Sequence, residues 1–246
     1  MIYFASDFHL GIPNHAESLV REKLIVSWLD DVSKDATDIF ILGDIFDFWF
    51  EYKYVVPKGY VRLLGKLAEL TDKGIHITAF KGNHDMWMFG YFEQELNIPV
   101  IEDAFEFERN GKLFFLHHGD GLGPGDKGYK LLKKIFRNPL CIWLFSILPP
   151  RWGMGLANYF SSKSRLANKT KDEVYNDDSE WLLQYCREVV KTNPYDYMIF
   201  GHRHLPLDIK INEKSRYINL GEWVHHFTYA AFDGKDLVMK TFEKTV

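Results

Sequence analysis

Cysteine is scarce in this chain of 246 residues: Cys141 and Cys186 are the two present, and they form neither a CxxC pair nor a disulfide framework. Such usage fits a reducing cytosol and argues against a disulfide-stapled secreted scaffold. Long apolar runs are missing too. The longest, Leu140 to Leu148, is interrupted by Ser146 and falls far short of the roughly 20 residues that cross a bilayer. The N-terminus, Met1-Ile2-Tyr3-Phe4-Ala5-Ser6-Asp7, has no basic stretch ahead of an apolar one, so no signal peptide is expected. Neither sign of charge dominates: 30 Lys and Arg stand against 34 Asp and Glu, for a net charge of −4. Bulk electrostatics therefore give no case for nucleic acid. There is no P-loop and no GxSxG. Gly123-Pro124-Gly125-Asp126-Lys127-Gly128 matches GxGxxG, but Pro124 and the absence of a complete dinucleotide-binding unit remove that reading.

What the chain has is a globular composition, 46% hydrophobic and 26% charged, and an aromatic share of 16% that can serve both a core and an apolar ligand surface. No repeat, low-complexity segment or linker divides it, so residues 1–246 read as one domain. Ile2–Ser6, Ile39–Leu42 and Ile75–Phe80 read as buried strands. Between them, 16–32 and 60–70 carry apolar residues at helical spacing. This βαβαβ order predicts an α/β first half with a parallel or mixed sheet. In the second half, Leu113–Leu116 and Tyr197–Phe200 read as strands, and Tyr217–Leu220, Thr228–Phe232 and Leu237–Phe242 as closing hairpin strands. The segment between about 127 and 190 is helical and partly apolar, and is expected to be an insert over the strand ends.

Five short motifs each follow a predicted strand: Asp7-Phe8-His9, Gly43-Asp44-Ile45-Phe46-Asp47, Gly82-Asn83-His84-Asp85, His118-Gly119-Asp120 and Gly201-His202-Arg203-His204. Open α/β sheets gather their sites at those ends, so residues distant in sequence can converge on one rim. Asp, Asn and His supply the oxygen and imidazole donors that a pair of divalent cations requires. Asp7-x-His9 and His202-x-His204 each place two side chains on one side of extended backbone. One carboxylate, Asp44, can lie between two ions about 3.5–4 Å apart. A single DxH is commonly an accident and a single GHxH commonly two core histidines. Here six of the ten histidines, His117 included, fall at these strand ends, and chance does not account for the conjunction. Adjacent residues of a strand face opposite ways, so of His117 and His118 we expect His118 to reach the ions. His225 and His226 read as a solvated or supporting pair.

The five motifs resemble those of the calcineurin-like metallophosphoesterase superfamily across nearly the whole chain. The resemblance implies an α/β (α+β) fold, a two-sheet β-sandwich flanked by helices, and two divalent metal ions. Asp7, His9, Asp44 and His204 would hold one ion; Asp44, Asn83, His118 and His202 would hold the other. Mn²⁺ is the expected metal, with Fe or Zn compatible with the donors. His84, Asp44 and Asn83 would serve the chemical step.

Within that superfamily the chain is similar to the UDP-2,3-diacylglucosamine pyrophosphatases of lipid A biosynthesis, which carry a helical insert between HGD and GHxH. Their substrate-binding positions match here at Asp126, Tyr129, Ser164, Asn168 and Lys171, with Asn83, His84 and His202 shared with the metal rim. Pro206 and Leu220-Gly221-Glu222-Trp223 also match. Three positions depart: His84 stands where the branch usually has arginine, Ser161 where arginine is often found, and Leu122-Gly123-Pro124-Gly125-Asp126 replaces Leu-Cys-Thr-Asp-Asp. The implied reaction is hydrolysis of the pyrophosphate of UDP-2,3-diacylglucosamine to UMP and 2,3-diacylglucosamine 1-phosphate; the alternative is another nucleotide or phosphodiester substrate. On independent grounds, Lys127, Lys130, Lys133, Lys134 and Arg137 precede Leu140, Ile142, Trp143, Leu144, Phe145 and Leu148, a pairing of cations with aromatic and aliphatic residues that suits a lipid surface. The expected setting is the cytoplasmic face of the inner membrane, with a UDP-linked lipid as partner, no nucleic acid and no obligate protein partner.

Overall fold

A computed structural model describes residues 1–124, 127–157, 175, 177 and 180–243. Period-2 alternation in β1 (Ile2–Ala5) decides its architecture. Ile2 and Phe4 face one side and join Phe40, Leu42, Phe114, Leu116, Ile199 and Phe232. Tyr3 and Ala5 face the other and join Ile39, Ile41 and Ile77 against helices α1 (His15–Val32) and α2 (Val61–Asp72). A strand buried on both faces must lie in the middle of a layered stack.

Two sheets form that middle. The first has the order β11-β10-β1-β2-β3-β4, with β2 (Asp38–Ile41), β3 (His76–Phe80), β4 (Val100–Ile101), β10 (Thr228–Phe232) and β11 (Leu237–Thr241). The second has the order β5-β6-β7-β9-β8, with β5 (Phe105–Arg109), β6 (Lys112–His117), β7 (Tyr197–Phe200), β8 (Pro206–Lys210) and β9 (Arg216–Leu220). Pairing is parallel through β1–β2–β3–β4 and through β6–β7–β9. The C-terminal ends of β1, β2, β3, β6 and β7 therefore share one rim, and all five motifs start there.

Helix α1 begins at Asn14, whose side chain accepts from the Glu17 amide, and it buries Ile25, Trp28 and Leu29 against the first sheet. A short helix, α3 (Tyr91–Leu96), adds Phe92 to the same layer. The insert contributes α4 (Lys127–Phe136), α5 (Pro139–Ile147) and α6 (residues 150–157). Helix α7 (Trp181–Val189), which the sequence groups with the insert, buries Leu182, Leu183 and Cys186 against Phe115, Met198 and Phe200 on the outer face of the second sheet.

Three short strands, β4, β5 and β8, escaped the sequence reading. Phe105-Glu106-Phe107-Glu108 does alternate, but its glutamates are exposed. Tyr217–Leu220 was expected to close a hairpin with the last two strands; β9 instead lies in the second sheet, antiparallel to β8, and β10 pairs with β11 and β1.

Candidate metal centre

At the rim the backbone turns left-handed at five chemistry-bearing positions, none of them glycine: Asp7 (φ 55°), His9 (φ 44°), Asp44 (φ 52°), His202 (φ 69°) and His204 (φ 56°). The extended backbone expected for Asp7-x-His9 and His202-x-His204 is thus not what aims these side chains. Each such residue costs on the order of 1–3 kcal/mol, and clusters of them mark sites that the surrounding fold must hold in place. The loops are cross-tied by their backbones: the Asp7 and His9 amides donate to the carbonyls of Gly43 and Asp44, at 3.0 and 2.9 Å. Neighbouring glycines make the approach possible. A Cβ on Gly82 would land on the Asp44 carboxylate, and one on Gly201 on the Asp7 carboxylate.

Asp7 and Asp44 are used alike. Asp7 Oδ2 accepts from the His202 amide at 3.0 Å, and Asp44 Oδ1 from the His84 amide at 2.8 Å. Their other oxygens, Asp7 Oδ1 and Asp44 Oδ2, are buried without a hydrogen bond. Around them lie two donor groups. In the first, His9 Nε2 and His204 Nε2 face each other at 3.0 Å, with Asp7 Oδ1 at 3.6 and 3.3 Å from them. In the second, Asn83 Oδ1 lies 3.1 Å from His118 Nε2 and 2.8 Å from His202 Nδ1. Asp44 Oδ2 lies between the groups, 3.8 Å from His9 Nε2 and 3.5 Å from His118 Nε2.

Electrostatics agree with a place for cations. Burial alone would raise the Asp7 and Asp44 carboxyls, yet the imidazoles around them hold both well below the usual carboxylate range. Burial works against an imidazolium at His118, but the Asp44 charge outweighs it and pushes that group up to about 10. Its Nδ1 donates to the Leu42 carbonyl at 2.7 Å, which leaves Nε2 facing the Asp44 carboxylate at 3.5 Å. Burial, then the His118 charge, pushes His202 down to about 3, so it stays neutral as a donor must. Unpaired buried oxygens, two facing imidazole nitrogens and a hard-oxygen/imidazole set fit divalent cations.

His117 points to the other side of β6. Its Nδ1 accepts from the Gly119 amide at 2.8 Å, and burial pushes it down to about 4. His84 Nδ1 lies 3.0 Å from the Asp47 carbonyl, a pure acceptor, so this nitrogen carries the proton. The His84 ring stands edge-on to His9 at 5.1 Å. Tyr129 donates to Asp120 at 2.6 Å, and its ring is 6.3 Å from that of His202. Asp126, Ser164, Asn168 and Lys171 lie outside the described residues. His225 and His226 are exposed, and the buried Glu222 accepts from both of their amides.

Several supporting residues, some of them inside the motifs, have roles that the motifs do not announce. Asp85 is wholly buried and collects the amides of Asp44, Ile45, Phe46 and Gly82 at 2.7 to 3.3 Å, joining two loops. Burial and the Asp44 charge push its carboxyl up to about 7. Arg203, between two candidate ligands, turns away from them. It pairs with buried Glu180 at 3.0 Å and lies over the Trp181 ring, while Tyr217 donates to the same glutamate.

Two divalent ions held about 3.5–4 Å apart can stabilise both the attacking and the leaving oxygen of a displacement at phosphorus, and this fold and rim carry the donors of that class of hydrolase. Comparison narrows it: the chain belongs to the calcineurin-like phosphoesterase family, which matches residues 1–206. A relative named UDP-2,3-diacylglucosamine hydrolase, from Porphyromonas gingivalis, is 39% identical over 98% of this chain and 97% of its own. Another of that name, from Ectopseudomonas mendocina, is 29% identical over 100% of this chain and 99% of its own.

Proposed function

We propose that this chain hydrolyses the pyrophosphate of UDP-2,3-diacylglucosamine, releasing UMP and 2,3-diacylglucosamine 1-phosphate. The observation that carries it is Asp44 Oδ2, buried without a hydrogen bond between His9 and His118. Full-length similarity to hydrolases of that substrate supplies the substrate class. Asp7, His9, Asp44 and His204 hold one ion, and Asp44, Asn83, His118 and His202 the other. Mn²⁺ is the metal we expect, with Fe or Zn suited to the same donors. When bound, such a pair activates water and stabilises charge on phosphoryl oxygens.

The chain's own part is orientation and charge. Asn83 brings its carbonyl to within 3.1 Å of His118 Nε2 and 2.8 Å of His202 Nδ1 and so completes the second donor group. His84, held by Asp47, meets the phosphoryl group or its leaving oxygen. Tyr129, fixed on Asp120, walls the site beside His202. Helices α4, α5 and α6 begin a cap for the acylated sugar, and Asp126, Ser164, Asn168 and Lys171 are the side chains we assign to substrate contact. Replacing Lys171 with alanine is expected to raise KM for the UDP-lipid and leave hydrolysis of a small aryl phosphodiester near wild type. Equal losses on both substrates would assign Lys171 to the core site instead.

The cap also faces a lipid surface at the cytoplasmic side of the inner membrane. On α5, Phe145 turns inward onto Phe48, Phe50 and Trp87. Leu140, Trp143, Leu144 and Ile147, spaced i, i+3, i+4, i+7, are each more than half exposed. Leu131, Leu132 and Ile135 on α4 are exposed too, near Lys134. An apolar stripe beside cations is the pattern of an interfacial helix. No helix among the described residues is long and apolar enough to cross a membrane. Cosedimentation with phosphatidylglycerol vesicles should fall about tenfold or more for Trp143→Glu/Leu144→Glu, since each loses the burial of its exposed half in the bilayer, about 0.75–1.5 kcal/mol. Unchanged cosedimentation would remove the stripe from the membrane reading.

A second substrate reading rests on His84. A histidine in place of the branch's usual arginine also suits a water-soluble nucleotide or phosphodiester. Thin-layer assay of UMP release from UDP-2,3-diacylglucosamine, beside hydrolysis of an aryl phosphodiester, decides between them.

A further inference from the structure

Beyond Ala5 the first ligand loop leaves strand β1 and rejoins its neighbour only at the isolated bridge between Leu10 and Phe46, yet Asp7 and His9 both hold left-handed backbone in between. Two things grip it from behind. The Phe8 side chain is fully buried, edge-on to Trp28 at 6.3 Å and to Trp223 at 5.5 Å. The backbone is gripped by a residue outside every motif: Arg21, in the second turn of α1, 6% exposed. Its Nε donates to the Phe8 carbonyl at 2.8 Å, and its Nη2 to the carbonyls of His9 and Ile12 at 2.6 and 2.5 Å. Ser18, one turn earlier, accepts from the Gly11 amide at 2.8 Å.

A guanidinium buried near a site for two dications is electrostatically unfavourable by itself. Its negative counterweights are Glu222 and Asp47, and no described carboxylate forms an ion pair with it. Its direct partners are three carbonyls of one loop. A planar fork with donors at fixed angles can hold several carbonyls in one arrangement, whereas an ammonium presents a single point of charge. Nothing about that grip serves the core: Trp28 and Phe8 already bury the apolar surface.

We propose that Arg21 is a positioning residue for the first of the two cation sites, fixing Asp7 and His9 through the carbonyl of Phe8 between them and those of His9 and Ile12. This rests on the assignment of Asp7 and His9 as metal ligands. The test is titration of the metal-free full chain with Co²⁺, followed by calorimetry and by the visible absorption of the bound ion. Wild type is expected to take two equivalents; fewer would overturn the ligand assignment and leave Arg21 as a question of folding alone.

Given two, Arg21→Lys and Arg21→Gln should weaken one equivalent about 10–100-fold, the range for partners that orient ligands without touching the metal. The other equivalent should keep its affinity, and the absorption band of the weakened ion should change shape. Lysine keeps the charge and loses the fork, so wild-type binding by Arg21→Lys would reduce the residue to an electrostatic role and overturn the proposal. Equal weakening of both ions, or failure of both variants to give a wild-type near-ultraviolet dichroism spectrum, would make Arg21 a strut of the fold and overturn it as well.

Discussion

Asp44→Ala is expected to lower turnover by about 10³-fold or more, at any concentration of divalent metal, while the protein remains folded. The size follows from what is removed: a carboxylate reaching both donor groups, and with it the stabilisation of developing phosphoryl charge. The folding claim has its own reason. Without metal, Asp44 is a buried anion close to Asp7 and Asp85, and its charge is one cause of the raised Asp85 carboxyl. Truncation relieves that repulsion, at the cost of the carboxylate that faces His118 and of one acceptor for the His84 amide, so gain and loss oppose each other. Metal-free wild type and variant should therefore melt within a few degrees of each other. Added Mn²⁺ should raise the melting temperature of wild type far more, because an ion that binds only the native state stabilises it by mass action. Near-normal activity in metal-loaded Asp44→Ala would sink the two-ion mechanism.

His84→Ala should lower kcat by about 10²–10⁴-fold, the usual range for a lost general acid or base. His84→Arg separates the two ways in which the ring can act. Arginine is always charged and can clamp a phosphate bidentately, whereas imidazole can also pass a proton. Whichever phosphorus is attacked, a phosphate monoester leaves, which is a good leaving group, so charge stabilisation should dominate and the arginine variant should retain substantial hydrolysis of the UDP-lipid. An inactive His84→Arg protein that still binds two metal ions would show a site built around imidazole, and would favour the soluble phosphodiester as substrate.

Much of the rim was legible because its chemistry is written in short motifs at strand ends, and parallel strands bring such ends together. Strand alternation let only one of His117 and His118 face the rim, and the neighbouring Gly119 pointed to His118. Other features were not legible for physical reasons. Asp7, His9, His202 and His204 look, by their spacing, like neighbours on extended chain, yet their backbones are left-handed; that conformation is imposed by contacts such as Gly43 with Asp7, which no local pattern encodes. Arg21 sits on a helix face where a charged residue reads as solvated. Glu180, ahead of α7, reads as an ordinary helix-leading acid, and only the return of the chain beneath Arg203 reveals its partner. Strand β8 was hidden because Pro206 and its neighbours were read as part of a motif.

The rim has a further consequence, for assembly. The βαβαβ half supplies Asp7, His9, Asp44 and Asn83, but the chain must travel on through β6, the insert and β7 before His118, His202 and His204 arrive. Neither donor group can be completed by the first half alone. Contacts of such long sequence separation form late and slowly compared with local ones, so an intermediate with only the first sheet paired offers an incomplete set of donors to each ion. On the proposed ligand assignment, high-affinity uptake of both ions would be a property of the finished sandwich, and a bound pair would tether opposite halves of the chain.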